Sequence, residues 1–149
     1  MASPYMSLAR AYQELGSSVV LSSGDELRSM HAARNPEWFG LDAEGGHPAM
    51  MVDRSWPQTR PGGKWFIEVN PRSWPQDTTR RRRKTERLLD FLEKFTGQPI
   101  GIVFCEFPPG GEGGATKIAP RPDLAAIVRK GETEHVYLLE VVKRQSLTA

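Results

Sequence analysis

The chain has 149 residues, of which 38% are hydrophobic and 26% charged, and this composition is typical of one globular domain with a real core. No apolar run approaches the ~18 residues that a membrane span requires, and the N-terminus lacks the pattern of a secretion signal. The only cysteine, Cys105, excludes a disulfide framework within the chain. These features predict a cytoplasmic protein whose single thiol is buried and unreactive.

The first third of the chain predicts a helix over Pro4–Leu15, because Leu8, Ala11, Tyr12 and Leu15 share one face. In chain order the next predicted elements are a strand at Ser17–Ser22, a helix at Asp25–Ala33, a loop at Asn35–Pro48 and a strand at Ala49–Asp53.

The centre of the chain reads as strand, basic helix, strand. After a polar turn at Arg54–Gly63, the aromatic and β-branched run Lys64–Val69 is typical of a buried strand. Thr78–Phe95 has an apolar stripe at helical spacing, and Gly97 is a suitable residue to end that helix. Pro99–Phe107 is then a second apolar strand. A strand, helix, strand order normally joins neighbouring parallel strands, so we expect these two strands to be adjacent.

The last third begins with a Gly/Pro-rich loop over residues 108–122, which lacks the spacing of a phosphate-binding P-loop. Asp123–Lys130 and His135–Arg144 then predict a C-terminal β-hairpin over residues 123–144. Both arms are apolar on both faces, which is typical of strands central in a sheet or pressed against a partner.

The net charge of +2 is unevenly distributed. The segment from Arg54 to Arg87 contains ten basic and three acidic residues, so it carries a net charge of +7 and the remainder of the chain −5. Such a local excess indicates phosphate binding, although a solvated helix face would show the same composition. The candidate nucleic-acid-binding cations are Arg72, Arg80, Arg81, Arg82, Arg83, Lys84 and Arg87.

The pentapeptide RSWPQ occurs twice, at residues 54–58 and 72–76, each time directly after a predicted strand. The two copies could present Trp56 and Trp74 together with Arg54 and Arg72 at one edge of a sheet. Stacking on bases or sugars is one use of such residues, and covering the rim of the core is the other.

The order of elements up to residue 107 resembles the core of the PD-(D/E)XK nuclease superfamily, including its resolvase-like and transposon-end nucleases. Asp53 ends one strand, Glu68 lies fifteen residues later on the next, and FIEVNPRS is similar to the third core strand of that superfamily. The resemblance implies an α/β (α+β), restriction-endonuclease-like core with a central mixed sheet flanked by helices. It also implies Mg²⁺, or Mn²⁺ as a substitute, held by Asp53 and Glu68, with Glu14 as an auxiliary acid.

The sequence departs from that superfamily at Asn70, which stands where the family carries a lysine that assists the attacking water. Lys64 lies on the same strand, but six residues of extended chain separate it from Asn70 by about 20 Å. The chain is therefore expected to be either a Mg²⁺-dependent DNA endonuclease with an unusual third group or a degenerate relative that only binds.

A second placement of the motif uses Asp123, Glu140 and Lys143, although the spacing of the last two puts them on opposite faces of a strand. A charged hairpin without a site is the alternative for that segment. His31, His47 and His135 have no neighbours at metal-ligand spacing.

The sequence thus predicts a protein that acts on nucleic acid, with DNA favoured over RNA. The alternative is a non-enzymatic phage or mobile-element accessory protein, which would form a homodimer or bind a protein partner through the C-terminal hairpin.

Overall fold

A computed structural model of the chain describes residues 5–6, 8–17, 19–21, 27–29, 38–41, 46–107 and 116–147. In chain order its elements are α1 (Leu8–Glu14), β1 (Val19–Leu21), β2 (Leu27–Ser29), β3 (Phe39–Gly40), β4 (Ala49–Asp53), β5 (Gln58–Thr59), β6 (Trp65–Val69), α2 (Thr79–Lys94), β7 (Pro99–Glu106), β8 (Thr116–Pro120), β9 (Leu124–Lys130) and β10 (Tyr137–Lys143). Short 3₁₀ turns occur at Pro61–Gly63, Pro71–Ser73 and Arg144–Leu147. The fold is mixed α/β with a mixed sheet, as the sequence predicts.

The chain divides into two compact units. Unit 1 comprises Met1–Ser55 and Gly101–Pro122, and unit 2 comprises Trp56–Ile100 and Asp123–Ala149. β7 is therefore shared, because its first two residues belong to unit 2 and the remainder to unit 1.

Unit 1 packs α1 on a small sheet. β3 lies antiparallel to β4, β4 parallel to β7, and β8 antiparallel to β7, while β1 and β2 form a separate antiparallel pair. The core of this unit includes a cluster of Ala11, Tyr12 and Leu15 from α1 with Ala49, Met51, Val103 and Cys105 from the strands. Gly101 permits this packing, since a Cβ there would approach Ala49 Cβ to 3.1 Å and Leu15 Cδ1 to 3.2 Å.

Unit 2 is an antiparallel sheet with α2. Its strand order is β7, β9, β10, β6, β5, every pair being antiparallel. Glu93 of α2 ties the helix to the β9–β10 hairpin, because it accepts a hydrogen bond from the Tyr137 hydroxyl at 2.8 Å and lies 3.2 Å from Lys130 Nζ. α2 ends at Lys94, and three residues later Gly97 adopts a φ of +83°. The Gly97 N–H donates to the Val128 carbonyl at 2.6 Å.

The predicted adjacency of the strands that flank α2 is wrong. The C-terminal hairpin lies between them, so that β6 pairs with β10 and β5, and β7 pairs with β9. Three successive antiparallel steps also make β6 and β7 antiparallel to each other. The parallel partner of β7 is β4, with Ala49 opposite Gly101 and Asp53 opposite Cys105. A central position suits the hairpin, because its arms carry apolar residues on both faces, as the sequence indicates.

Three local predictions also differ from the structure. The helix expected at Asp25–Ala33 is replaced over residues 27–29 by β2, which pairs with β1 through backbone hydrogen bonds that helix propensity does not anticipate. The loop expected at Asn35–Pro48 contains β3, which gains ladder bonds from β4. The loop expected at residues 108–122 contains β8, which pairs with β7; residues 108–115 of that loop lie outside the described residues.

Candidate nucleic-acid interface

The N-terminal half of α2 carries cations where a helix favours acids. Thr78 is the N-cap, and its hydroxyl oxygen accepts a hydrogen bond from the Arg81 backbone N–H at 3.1 Å. The first turn contains no acidic residue, and Arg80–Arg83 directly follow Thr79, the first helical residue. A cation near a helix N-terminus opposes the macrodipole by about 0.3–1 kcal/mol at low ionic strength. The arginines of the first turn are therefore placed where the macrodipole disfavours a positive charge.

These cations lie away from the core-facing side of the helix. The buried positions recur every three to four residues and comprise Thr85, Leu88, Leu89, Phe91, Leu92 and Phe95. Arg81, Arg82 and Arg83 are exposed, whereas Lys84 and Arg87 are half-buried at the border of the stripe. Long basic side chains at such a border cover apolar surface while their charged ends reach water.

The charge excess of unit 2 is confined to residues 72–87. By sequence, unit 2 has fourteen basic and nine acidic residues, a net charge of +5. Residues 72–87 hold seven of the basic and two of the acidic ones, which is again +5, so the rest of the unit is neutral. Unit 1, with six basic and nine acidic residues, carries −3. The basic segment of residues 72–87 is therefore the one part of the chain with a marked positive charge.

The two acids of the basic segment are already paired within it. Arg81 Nη1 lies 2.8 Å from Asp77 Oδ1, and Arg72 Nη2 lies 2.8 Å from Glu86 Oε1. The hydrogen bond from Arg81 is the main reason that the pKa of Asp77 lies below its ordinary value. The Arg83 side chain is exposed.

The loop that precedes α2 is anchored to the helix by Gln76. Its Nε2 donates to Thr85 Oγ1 at 2.8 Å and lies within hydrogen-bond distance of the Pro71 and Trp74 carbonyls, at 3.2 and 3.0 Å. Arg82 Nη1 donates to the Gln76 carbonyl at 2.8 Å. The contact with Gln76 also satisfies Thr85, a polar side chain that is only 3% exposed. Trp74 is thus held in a loop that two direct contacts connect to α2, one to the buried Thr85 and one to the exposed Arg82.

The two RSWPQ copies meet through their tryptophans. The rings of Trp56 and Trp74 stack with centroids 5.0 Å apart and an interplanar angle of 22°, and both side chains are half-buried. Arg54, by contrast, belongs to unit 1, where its guanidinium lies 6.0 Å from the Phe104 ring. Arg72 is in the same unit as the tryptophan pair.

Sequence reasoning missed the glutamines of the repeat. Gln58 accepts a hydrogen bond from Trp65 Nε1 at 3.0 Å, and the Arg60 guanidinium lies 4.4 Å above the Trp65 ring. Gln76 occupies the same place in the second copy and bonds Thr85. The repetition of a glutamine two residues after each tryptophan was the available signal, because an amide can both donate and accept where a loop must be fixed.

The four residues assigned to catalysis by the resemblance are distributed over both units. Asp53 ends β4 in unit 1, and its Oδ1 accepts hydrogen bonds from Ser55 N and Oγ, both at 2.9 Å. Glu14, also in unit 1, is exposed and lies 3.9 Å from Arg10. Glu68 is half-buried in β6 of unit 2, opposite Leu138.

Asn70, also in unit 2, precedes a 3₁₀ turn, and its carbonyl accepts bonds from Ser73 N and Oγ. The described residues contain no group of three or more His, Cys, Asp or Glu side chains suited to a metal ion. Asp53 belongs to unit 1 and Glu68 to unit 2, and Mg²⁺ binding by these two residues stays a prediction.

The residues of the second motif placement, Asp123, Glu140 and Lys143, lie on or next to the β9–β10 hairpin. Glu140 forms an ion pair with Arg129 of β9, with 3.2 Å between Glu140 Oε1 and Arg129 Nη2. The backbone carbonyl of Asp123 accepts a hydrogen bond from the Arg144 N–H. Lys143 is exposed opposite Leu124, three residues along β10 from Glu140.

Cys105 is buried in β7, as the sequence predicts, and burial raises the pKa of its thiol to about 12. A thiol with that pKa is protonated at neutral pH and is a poor nucleophile. Over the described residues, no helix has the length and apolar character needed to cross a bilayer. Comparisons with protein-family models, curated proteins and solved structures gave no significant match to this chain.

Proposed function

We propose that this protein binds nucleic acid, with the basic segment of residues 72–87 as its contact with the phosphate backbone. The observation that carries the proposal is the arginine run at the N-terminus of α2. The macrodipole disfavours cations in the first turn, and features that oppose local stability are expected where function requires them. A phosphate backbone is the polyanion best matched to the exposed guanidinium groups of Arg81, Arg82 and Arg83.

Two further features support this assignment. The acids within the segment are engaged by Arg72 and Arg81, so they do not face an incoming phosphate alone. In addition, the Gln76 contacts fix the loop relative to the helix, which reduces the entropy lost when a ligand is bound.

The enzymatic form of the proposal, a Mg²⁺-dependent DNA endonuclease at Asp53 and Glu68, rests on the resemblance alone. The binding form rests on the geometry of unit 2 and is the one that we put forward. It requires no metal and no catalytic lysine.

The proposal is tested by the salt dependence of binding to a short DNA duplex. The quantity compared is the slope of the logarithm of the binding constant against the logarithm of the salt concentration. In the variant with Arg80, Arg81, Arg82 and Arg83 replaced by Ala, each lost phosphate contact should reduce the magnitude of this slope by about 0.9, so that four contacts would reduce it by about 3.6. The matched control is Lys143→Ala combined with Arg144→Ala, which removes exposed cations of the same unit from outside the basic segment.

The control should keep both the affinity and the slope of the wild type. An unchanged slope in the folded arginine variant would refute the interface. An equal loss for each removed cation in the control would show that net charge alone is responsible.

A further inference from the structure

We propose that the stacked Trp56–Trp74 pair makes this interface select single-stranded nucleic acid by stacking on unpaired bases. This inference rests on the proposed function and adds the class of substrate. It arises from the meeting of two copies of one pentapeptide, eighteen residues apart in sequence, whose indole rings stack on each other. The second copy lies within the basic segment.

The position of the pair distinguishes it from the core of unit 2. Ile67, Val69 and Leu139 of the sheet have no exposed surface, whereas both tryptophans retain part of theirs. Each indole therefore retains accessible surface that a ligand can contact. An indole pair stacked at 5.0 Å also presents a preformed platform, whose two rings need not be ordered again when a ligand binds.

The pair is coupled to the cations through the second RSWPQ copy. In sequence, Trp74 lies between Arg72 and Gln76. The Gln76 carbonyl accepts a hydrogen bond from the Arg82 guanidinium. Arg72 in turn contacts Glu86 on α2. Side chains suited to phosphate and a ring suited to a base are therefore only two residues apart in one anchored loop, which matches the alternation of phosphate and base along a single strand.

The chemistry of stacking determines which nucleic acid fits. In a duplex each base is covered on both faces by its neighbours, so an indole reaches a base face only where the base is unpaired. Stacking tolerates every base because each has a π face, and sequence preference is expected to be weak. DNA and RNA single strands share this chemistry.

The test compares a twelve-nucleotide oligo-dT strand with a twelve-base-pair duplex by fluorescence anisotropy at one salt concentration. The wild type should prefer the single strand. Trp74→Leu should weaken single-strand binding at least about fivefold, the lower bound for one stacked base, and leave duplex binding unchanged. Trp74→Phe should retain most of the affinity, because it keeps an aromatic platform. Trp65→Leu is the matched control, and it should bind as the wild type does.

The wild-type protein gives a second measurement without any substitution. Base stacking quenches indole emission, so the single strand should quench tryptophan fluorescence at saturation more than the duplex does. Equal quenching by both ligands, or equal losses of both affinities in Trp74→Leu, would overturn the single-strand assignment. The failure of wild-type protein to bind either probe in a salt-dependent way would instead refute the underlying nucleic-acid interface.

Discussion

Replacing Arg81 with Gln should make the protein more stable and, at the same time, a weaker binder of nucleic acid. Arg81 occupies the third helical position of α2, where its N–H bonds the hydroxyl of the N-cap, Thr78. A Gln at this position completes a capping box, because its side chain can accept from the Thr78 backbone N–H. The same change removes one cation from the first turn of the helix.

The expected gain in stability follows from two favourable terms and one small loss. Removing a cation from the first turn gains about 0.3–1 kcal/mol, and completing a cap is worth a similar amount. The lost contact with Asp77 is an exposed ion pair, with side chains 47% and 69% accessible, and such pairs contribute little in water. A net gain of about 0.5–1 kcal/mol would raise the melting temperature of a chain of this size by about 1–4 °C.

The assay combines a thermal melt with the salt dependence of duplex binding. The slope of the logarithm of the binding constant against the logarithm of the salt concentration should decrease in magnitude by about 0.9 in Arg81→Gln if this side chain contacts one phosphate. Lys94→Gln is the matched control, because Lys94 lies in the last turn of the same helix, where a cation is favourable. That control should lower the melting temperature and leave binding unchanged. A lower melting temperature for Arg81→Gln would show that the arginine is structural, and an unchanged slope would remove Arg81 from the interface.

Two further predictions concern single side chains. The pKa of Glu93 lies below its ordinary value of 4.5, mainly because of the hydrogen bond from the Tyr137 hydroxyl and secondly because of Lys130. Glu93 therefore stabilises the folded protein above pH 4.5, and this stabilisation is lost as the pH falls through the folded-state pKa. Tyr137→Phe should therefore raise the pKa of Glu93 in an NMR titration and flatten the loss of melting temperature between about pH 5 and 3; an unmoved pKa would contradict the assignment. If the resemblance extends to the metal site, calorimetric titration would give Mg²⁺ uptake that Asp53→Ala abolishes, and Asn70→Lys would increase plasmid nicking. The absence of uptake by wild-type protein would refute that metal site.

The local structure of the central segment could be predicted from the sequence because its signals are short-range. The sequence predicts α2 at Thr78–Phe95 and the structure has it at Thr79–Lys94, because the N-cap threonine and the apolar stripe lie within that range and Gly97 lies just beyond it. β4 has the predicted bounds, and both arms of the C-terminal hairpin were found for the same reason. The basic segment could also be read directly, because charge is a property of composition.

The candidate site was only partly accessible to sequence reasoning. The repeat suggested that Trp56 and Trp74 share a location, and the stacking geometry confirms that they meet. The role of Gln76 was missed because its partner, Thr85, is nine residues away on the helix. Asp53 and Glu68 were grouped by a motif, and only the three-dimensional contacts assign them to different compact units.

Strand order was decided by the tertiary structure alone. Two apolar faces on β9 and β10 indicate that the hairpin is central, but they do not tell which strands it separates. Backbone hydrogen bonds pair strands through N–H and C=O groups that every residue except proline possesses, so the ladder itself carries little information on side-chain identity. Register and partner are chosen by how all faces are buried together. For this reason the sequence by itself determined the helix, the strands and their charge, whereas the placement of the hairpin between β6 and β7 depended on the packing of the whole of unit 2.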